Sequence, residues 1–169
     1  MATVSKGTTS TITPQDFQTY NRLAEQMSFF HSILRRNWQL VLSGCAPNSK
    51  MRPAELVRHA NQFCQHLSAH HDIEESRWFP ILGRRMPGFR PDGFAKAQHA
   101  EMHQGLDMMQ AYVQGVHRGE HPLRREELRR IMDSFGDLLW SHMDEEVVEL
   151  GAENMSRFWS KDEVARLPF

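Results

Sequence analysis

The sequence predicts an all-α protein: an up-down-up-down antiparallel four-helix bundle with a short C-terminal helical extension. Apolar residues recur at steps of three and four positions along four long stretches, which is the period of a helix that buries one face. No stretch alternates apolar and polar residues as a half-buried strand does. The connections between the four stretches are short, so neighbouring helices are expected to run antiparallel.

Proline and glycine mark the ends of the predicted helices. Proline fits the first helical turn because its missing N–H would be unpaired there, and glycine commonly follows the last turn. Thr13, Pro14 and Asp16 form the first start signal, since Thr can cap a helix and an acid suits its first turn. These signals predict helices over residues 14–44, 53–82, 91–119 and 122–150.

The chain is predicted to contain one domain between two tails. A disordered polar N-terminus, the bundle and a C-terminal tail are expected over residues 1–13, 14–150 and 151–169. Ser160 and Glu163 have the spacing of a capping box, which predicts a short fifth helix in the C-terminal tail. This helix is expected to dock through Phe158, Trp159 and Leu167.

Composition argues against several classes of protein. With 169 residues, the chain is long enough for one domain with a core. Its 20 Lys and Arg nearly balance 21 Asp and Glu, so we expect neither a nucleic acid nor a membrane as partner. The first residues lack the apolar run of a signal peptide, and no stretch is apolar enough to span a membrane, which predicts a cytoplasmic protein.

Polar residues interrupt all four apolar stripes at positions that should be buried. An unpaired polar group in a core costs several kcal/mol, so something must compensate these side chains. Three pairs lie four residues apart, one turn along the same helix face, and a lone histidine interrupts the first stripe. In an antiparallel bundle all of them lie at matching heights. They are His31, His70, Glu74, His99, His103, His142 and Glu146.

This ring of donors predicts a site for two transition-metal ions. Mixed nitrogen and oxygen donors suit iron or manganese before zinc, and a carboxylate can bridge two ions. No cysteine lies at this level, which argues against a structural zinc site. Residues 70–75, HHDIEE, leave the inward pair open, because His71 with Glu75 has an apolar face nearly as good as that of His70 with Glu74.

Four motifs follow one another along the chain: His31, then HHDIEE followed by WFP, then HAEMH, then HMDEE. Their order resembles the hemerythrin family in its HHE cation-binding form, over residues 14–150. The resemblance implies a nonheme diiron centre with O2 as a ligand. Ferritin-like diiron proteins would instead show Glu-x-x-His twice, a motif that this chain lacks.

The resemblance also implies how the ligands are shared. The iron with fewer histidines would keep an open position. One iron would take three histidines, His99, His103 and His142, and the other would take two, His31 and His70. Glu74 and Glu146 would bridge the two irons.

Two details of the site depend on the family pattern. The family pattern favours His70 with Glu74 as the inward pair. His71 and Glu75 would then face solvent or contact the ligands from outside. The chain departs from the oxygen-carrying hemerythrins at the last carboxylate. Their aspartate lies five residues after its histidine, where this chain has Val147.

Three functions are consistent with such a site. The first is binding of O2 for oxygen handling, sensing or activation. The second is an O2-dependent diiron oxidoreductase whose small organic substrate lies beside a catalytic cluster of Arg35, His66 and Asp107. In the plainer alternative Arg35 and Asp107 flank the core as a surface pair and His66 is exposed. The third function is a metal-buffering or regulatory module that binds iron or zinc.

Overall fold

A computed structural model describes residues 12–168, and in that range the chain is helical with no strand. The all-α class is therefore confirmed. A π-helical turn, Glu74–Trp78, joins α2 to α3, and a 3-10 turn, Pro87–Phe89, precedes α4. The α-helices are α1 Pro14–Cys45, α2 Pro53–Ile73, α3 Phe79–Leu82, α4 Phe94–His117, α5 Arg125–Asp133, α6 Gly136–Glu149, α7 Ala152–Phe158 and α8 Lys161–Arg166.

The long helices pack around a common interior. α1 packs against α2, α2 against α4, α4 against α5 and α6, and both α5 and α6 against α1. The second predicted helix corresponds to α2, the π-helical turn and α3 together. The fourth corresponds to α5 and α6, which are separated at Ser134 and Phe135. The helical bundle is thus observed, while its up-down-up-down order stays a prediction.

The core of the bundle consists of two apolar clusters with a polar layer between them. Along α1, Leu34 and Trp38 belong to one cluster and Leu23 and Met27 to the other, and the buried His31 lies between the two. The same change of cluster occurs between α2 and the π-helical turn, along α4 and along α6. At each change the chain carries histidine or glutamate. The packing therefore brings the polar interruptions of all four stretches to one level.

The C-terminal tail packs on the bundle through two short helices, α7 and α8, both of which contact α1. The predicted capping box is confirmed, because Ser160 and Glu163 exchange side-chain and backbone hydrogen bonds at the start of α8. Arg85 forms an ion pair of 2.6 Å with Glu163 and lies over the ring of Trp159. The tail thereby covers the end of the bundle that holds the second apolar cluster.

At the other terminus, Thr13 accepts a hydrogen bond of 3.2 Å from the backbone N–H of Asp16, so the predicted N-cap of α1 is confirmed. The disorder predicted for residues 1–13 falls almost wholly on residues 1–11, which lie outside the described part of the chain. The domain boundaries stay a prediction. Within residues 12–168, none of the helices combines the length and apolarity needed to cross a bilayer.

Candidate metal centre

Buried polar side chains from all the long helices meet in the layer between the two apolar clusters. His31, His71, Glu74, His99, His142 and Glu146 are each no more than 3% exposed, and His70 is 11% exposed. Histidine and glutamate are seldom buried so completely unless a partner compensates them. The layer is therefore a candidate site for cations.

The donor atoms form two overlapping groups, in each of which the atoms lie within 4.8 Å of one another. We call them site A and site B. Glu74 belongs to both groups, so its two carboxylate oxygens are placed to contact two neighbouring ions. Site A consists of His71, Glu74, His99 and His142, and site B of His31, His70, Glu74 and Glu146.

Within each site, donor atoms face one another at short distances. In site A, the Nε2 atoms of His99 and His142 are 3.1 Å apart, and His99 Nε2 is 3.4 Å from Glu74 Oε2. In site B, His70 Nε2 is 3.0 Å from Glu74 Oε1. The distance from His31 Nε2 to Glu146 Oε2, also in site B, is 3.4 Å. Lone pairs thus converge on two small volumes, as ligands do around a cation.

Many of these atoms lie close to one another but form no hydrogen bond of acceptable geometry within the protein. Both oxygens of Glu74 and of Glu146 are buried without one, and so are the Nε2 atoms of His31, His70 and His71. An unsatisfied buried polar atom costs about 1–3 kcal/mol, and more when it is charged. Bound cations would satisfy these atoms, so the donor set fits two metal ions with nitrogen and oxygen ligands.

Burial also sets the protonation of the site. It holds the pKa of His70 and of His71 well below the usual range, and it lowers that of His142 to about 4. These histidines are therefore neutral at physiological pH, the form in which imidazole binds a metal. Burial and the neighbouring Glu146 carboxyl raise the pKa of Glu74 well above its ordinary value. A cation at the site would oppose that rise.

The metal-free protein is expected to lose stability as the pH falls from about 6.5 to about 4. In this window the unfolded chain protonates its histidines, whereas folded His142, with a pKa of about 4, does not. The unfolded state then binds more protons, so acidification favours unfolding, by about 3 kcal/mol for His142 alone. The raised pKa of Glu74 acts in the opposite direction, but this is one carboxyl against four histidines whose pKa values burial lowers.

Thermal denaturation of the metal-free protein between neutral and mildly acidic pH measures this effect. The melting temperature should fall as the pH is lowered, and it should fall less steeply for His142→Gln than for the wild type. His117→Gln serves as the control, because this α4 side chain is exposed and its loss should leave the slope unchanged. A melting temperature that stays constant or rises on acidification would contradict the buried, neutral histidines.

The arrangement can be compared with known protein families. The sequence profile of the Hemerythrin HHE cation binding domain matches residues 22–150, which is most of the chain. The chain belongs to the hemerythrin HHE cation-binding family. It is also 26% identical over 148 residues to "Dimeric xanthone biosynthesis cluster protein R11" of Cryptosporiopsis sp. (strain 8999). That alignment covers 83% of this chain and 56% of the relative, so the chain spans little more than half of the relative's length. No solved structure matches this chain.

The histidine doublet of this hemerythrin-family chain differs from the sequence-based expectation. His71 was expected outside the ligand set, but it is 1% exposed and belongs to site A, while His70 belongs to site B. Adjacent helical residues point about 100° apart, and α2 lies between α1 and α4. One histidine therefore faces the α1 side of the interior and its neighbour faces the α4 side. Both histidines of the doublet therefore border the same polar layer in the structure.

A π-helical turn follows the doublet and gives the glutamates their positions. Pro80 lacks a backbone N–H, and in a regular α-helix its ring would clash with the carbonyl four residues earlier. The chain widens there, and the N–H of Phe79 bonds to the carbonyl of Glu74, five residues back. Such turns are frequent at functional sites. Here Glu74 is buried in both sites, while Glu75 is 31% exposed and places Oε1 3.0 Å from His99 Nδ1.

Three polar residues contact the outer nitrogens of the site A histidines. Glu75 contacts His99, and Gln98 Oε1 lies 3.0 Å from His142 Nδ1. His103 Nε2 lies 3.1 Å from His71 Nδ1. Such partners orient a metal-binding imidazole and fix which nitrogen faces the ion. Each site A histidine is therefore held with its Nε2 facing the other donors of site A.

His103 was expected as a ligand beside His99, its partner one turn earlier. The structure places it half-buried and outside both groups, with its ring stacked on that of His71 at 5.3 Å. The His71 ring also stacks on His99 at 3.8 Å. The spacing of His99 and His103 indicates that both lie on one face of α4. It does not indicate that α2 places the ring of His71 against that face. The other six expected ligands all belong to site A or site B.

The three residues expected to form a catalytic cluster do not meet in the structure. Arg35 forms an ion pair of 2.7 Å with Asp144 and lies over the ring of Trp140. Asp107 is exposed. His66 is also exposed, with Nδ1 2.9 Å from Asn37 Nδ2, and it lines a cavity next to site B. Of the three, only His66 lies at a surface that a substrate near the metals would contact.

This cavity lies between α1 and α2 and has a volume of about 430 Å³. His70 and Glu74 of site B form part of its wall. Most of the remaining wall is apolar, including Phe30, Ile73 and Trp78. Site B is therefore the part of the centre that a small molecule can approach, whereas the described residues around site A close it with packed side chains.

Proposed function

We propose that this chain holds two iron ions, one at site A and one at site B, and binds O2 for oxygen handling, sensing or activation. The observation that carries the proposal is Glu74, a buried carboxylate shared by two groups of donors. A shared carboxylate holds two ions together, and the mixture of imidazole and carboxylate suits iron. The proposal includes the up-down-up-down order of the bundle and a cytoplasmic location.

The donor residues would be distributed between the two ions. Site A would hold its ion with three histidines and Glu74, and site B would hold the other with two histidines, Glu74 and Glu146. Glu146 takes the role of the last carboxylate, one position before Val147. The side chain of Glu146 is fully buried within reach of His31 and His142. When bound, two ferrous ions supply the electrons for O2 chemistry. The cavity beside His70 and Glu74 supplies the approach to site B.

Anaerobic reconstitution with ferrous iron tests the proposal. Metal analysis should find two irons per chain, because the two groups are complete and share one carboxylate. A visible absorption band should appear when O2 is added and disappear under argon. Bleaching that argon does not reverse would mean that O2 is consumed. Fewer than two irons per chain, or no optical response to O2, would contradict the proposal.

A second function, an O2-dependent diiron oxidoreductase, is favoured by the size of the cavity. A water molecule occupies about 30 Å³ in the liquid, so a cavity of about 430 Å³ is far larger than a diatomic ligand needs. The relative is named for a xanthone biosynthesis cluster, which is consistent with a role beside organic molecules. Consumption of O2 only when an organic compound is added would distinguish this function from reversible O2 binding.

A further inference from the structure

The cavity beside site B has the shape of a binding site for one elongated molecule. Its wall runs along α1 from Gln26 to Leu34, a separation of eight positions and hence about 12 Å at a rise of 1.5 Å per residue. Along α2 it extends from His66 to the π-helical turn at Trp78. A volume of about 430 Å³ lies within the range of small-molecule pockets. The cavity therefore accommodates a molecule of two or three rings.

The walls indicate an aromatic occupant. The rings of Phe30 and Trp78 lie 6.4 Å apart at an angle of 57°, and both line the cavity. The aliphatic side chains of Ile33, Leu34 and Ile73 complete the apolar surface. The two rings are tilted to each other, and an aromatic ring packed against either one gains about 0.5–1.5 kcal/mol beyond its buried area. Ile73 is 47% exposed, so the mouth of the cavity is itself apolar.

The charges around the cavity indicate an uncharged occupant. Among the described residues that line it there is no Lys or Arg, and its ionisable members are His66, His70 and Glu74. Arg35 is held away by Asp144. At either end of the cavity, away from site B, a carboxylate would lack a cationic side chain as partner, which is unfavourable in a partly buried site. A neutral group at these ends avoids that cost, and a cation at site B would face the middle of the occupant.

Two polar side chains lie at opposite ends of the cavity. Gln26 is level with Trp78 near one end, and His66, bonded to Asn37, lies near the other. Asn37 Nδ2 lies 2.9 Å from His66 Nδ1, so the Nε2 atom of His66 remains available for a polar contact with a ligand oxygen. The middle of the cavity is lined by His70 and Glu74 of site B.

We infer that this cavity binds a neutral aromatic phenol of two or three rings, with its oxygens at the Gln26 and His66 ends and its middle over site B. The inference rests on the proposed function for its reaction, since it names the class of substrate that would meet O2 at site B. Binding itself needs only the cavity and can be measured without any redox chemistry.

The test is isothermal titration of the full chain with 2,6-dihydroxynaphthalene, which carries a hydroxyl at each end of two fused rings. The protein is loaded with zinc, which is redox-silent, and kept anaerobic so that the ligand is not oxidised. The matched anion, 2,6-naphthalenedicarboxylate, is compared with the diol on metal-free protein, where its carboxylates cannot bind zinc. There it should bind at least about tenfold more weakly than the diol, a difference of about 1.4 kcal/mol.

Substitutions that fill the cavity should abolish the binding. Ala69→Trp adds a large side chain at an exposed position of the wall, and the affinity should fall by at least about tenfold. Ala111→Trp is the control, because Ala111 is an exposed alanine of α4 outside the cavity, and its affinity should match the wild type. If Ala69→Trp does not fold, Ile73→Trp makes the same change at a second exposed wall position.

The outcomes separate this inference from the proposed function. Metal content is counted in each sample before titration. Two zinc ions per chain without binding of the diol would overturn the inference and leave the two-metal centre standing. Binding of the diol to protein that takes up no zinc on loading would support the inference and contradict the centre. Equal affinity of metal-free protein for the diol and the dicarboxylate, or unchanged affinity in both filled variants, would also overturn the inference.

Discussion

Glu74→Gln is expected to remove metal from both sites while leaving the fold intact. Glu74 is the one residue shared by site A and site B, and its two buried oxygens accept no hydrogen bond of acceptable geometry within the protein. Glutamine has nearly the same shape but no charge, so it can neither neutralise nor bridge two cations. Loss of an outer partner of a ligand already costs 10–100-fold in metal affinity. The loss of this ligand should therefore exceed about 100-fold at both sites.

The stability of the metal-free protein makes this prediction specific. Burial and Glu146 raise the pKa of Glu74, so the metal-free wild type is destabilised when the pH is high enough to ionise that carboxyl. Glutamine resembles the protonated acid. The metal-free variant should thus be at least as stable as the metal-free wild type above neutral pH. Added metal should raise the melting temperature of the wild type only.

Metal analysis and thermal denaturation measure both effects, with Glu101→Gln as the matched control. Glu101 is an exposed residue of α4 outside both sites, so its variant should keep two metals and the full shift in melting temperature. A Glu74→Gln protein that still binds two ions at wild-type affinity would show that the carboxylate does not bridge. A variant that fails to fold even without metal would contradict the account of its raised pKa.

His71→Ala and His103→Ala are expected to differ, although the sequence pattern assigns the ligand role to His103. His71 belongs to site A, with a buried Nε2 that has no partner, so its loss should reduce the metal content from two ions per chain to one. His103 lies outside both groups and contacts only the outer nitrogen of His71 among the donor histidines at hydrogen-bonding distance. Its loss should lower the affinity of site A by about 10–100-fold without lowering the number of ions at saturation.

A metal titration that reports both stoichiometry and affinity distinguishes the two variants. His117→Ala is the control for removal of an α4 histidine, because His117 is exposed and far along the helix from site A. If His103→Ala saturates at one ion while His71→Ala still binds two, the ligand set implied by the family resemblance is the correct one, and the position of His71 in the structure has another cause.

Much of the site follows from local spacing. An i, i+4 pair on a helix shares a face whatever the tertiary structure, which is why His70 with Glu74 and His142 with Glu146 could be identified before any fold was known. The start and stop signals around the long helices are similarly local, as Thr13 and its bond to Asp16 show. These features require only backbone geometry and hydrogen bonds within one turn.

Other features depend on how the helices face one another. In the structure His71 belongs to site A and His103 lies outside both sites, the reverse of the expectation. The reason is that the rotation of α2 about its own axis decides which of its residues reach the interior. That rotation results from the packing of two apolar clusters against several neighbours. The π-helical turn at Glu74 also lies beyond simple periodicity. Pro80 signals a disturbance there, but a kink, a helix end and a wider turn were all compatible with the same residue.

The sequence by itself determined an all-helical chain, the height of the polar layer and the chemistry of its donors, because residue type and helical period are properties of single segments. Only the tertiary structure decided that both histidines of the doublet face inward, that Glu74 is shared by two sites, and that a cavity opens beside site B rather than site A. These depend on distances between side chains of different helices. Such distances are set by the close packing of the whole core.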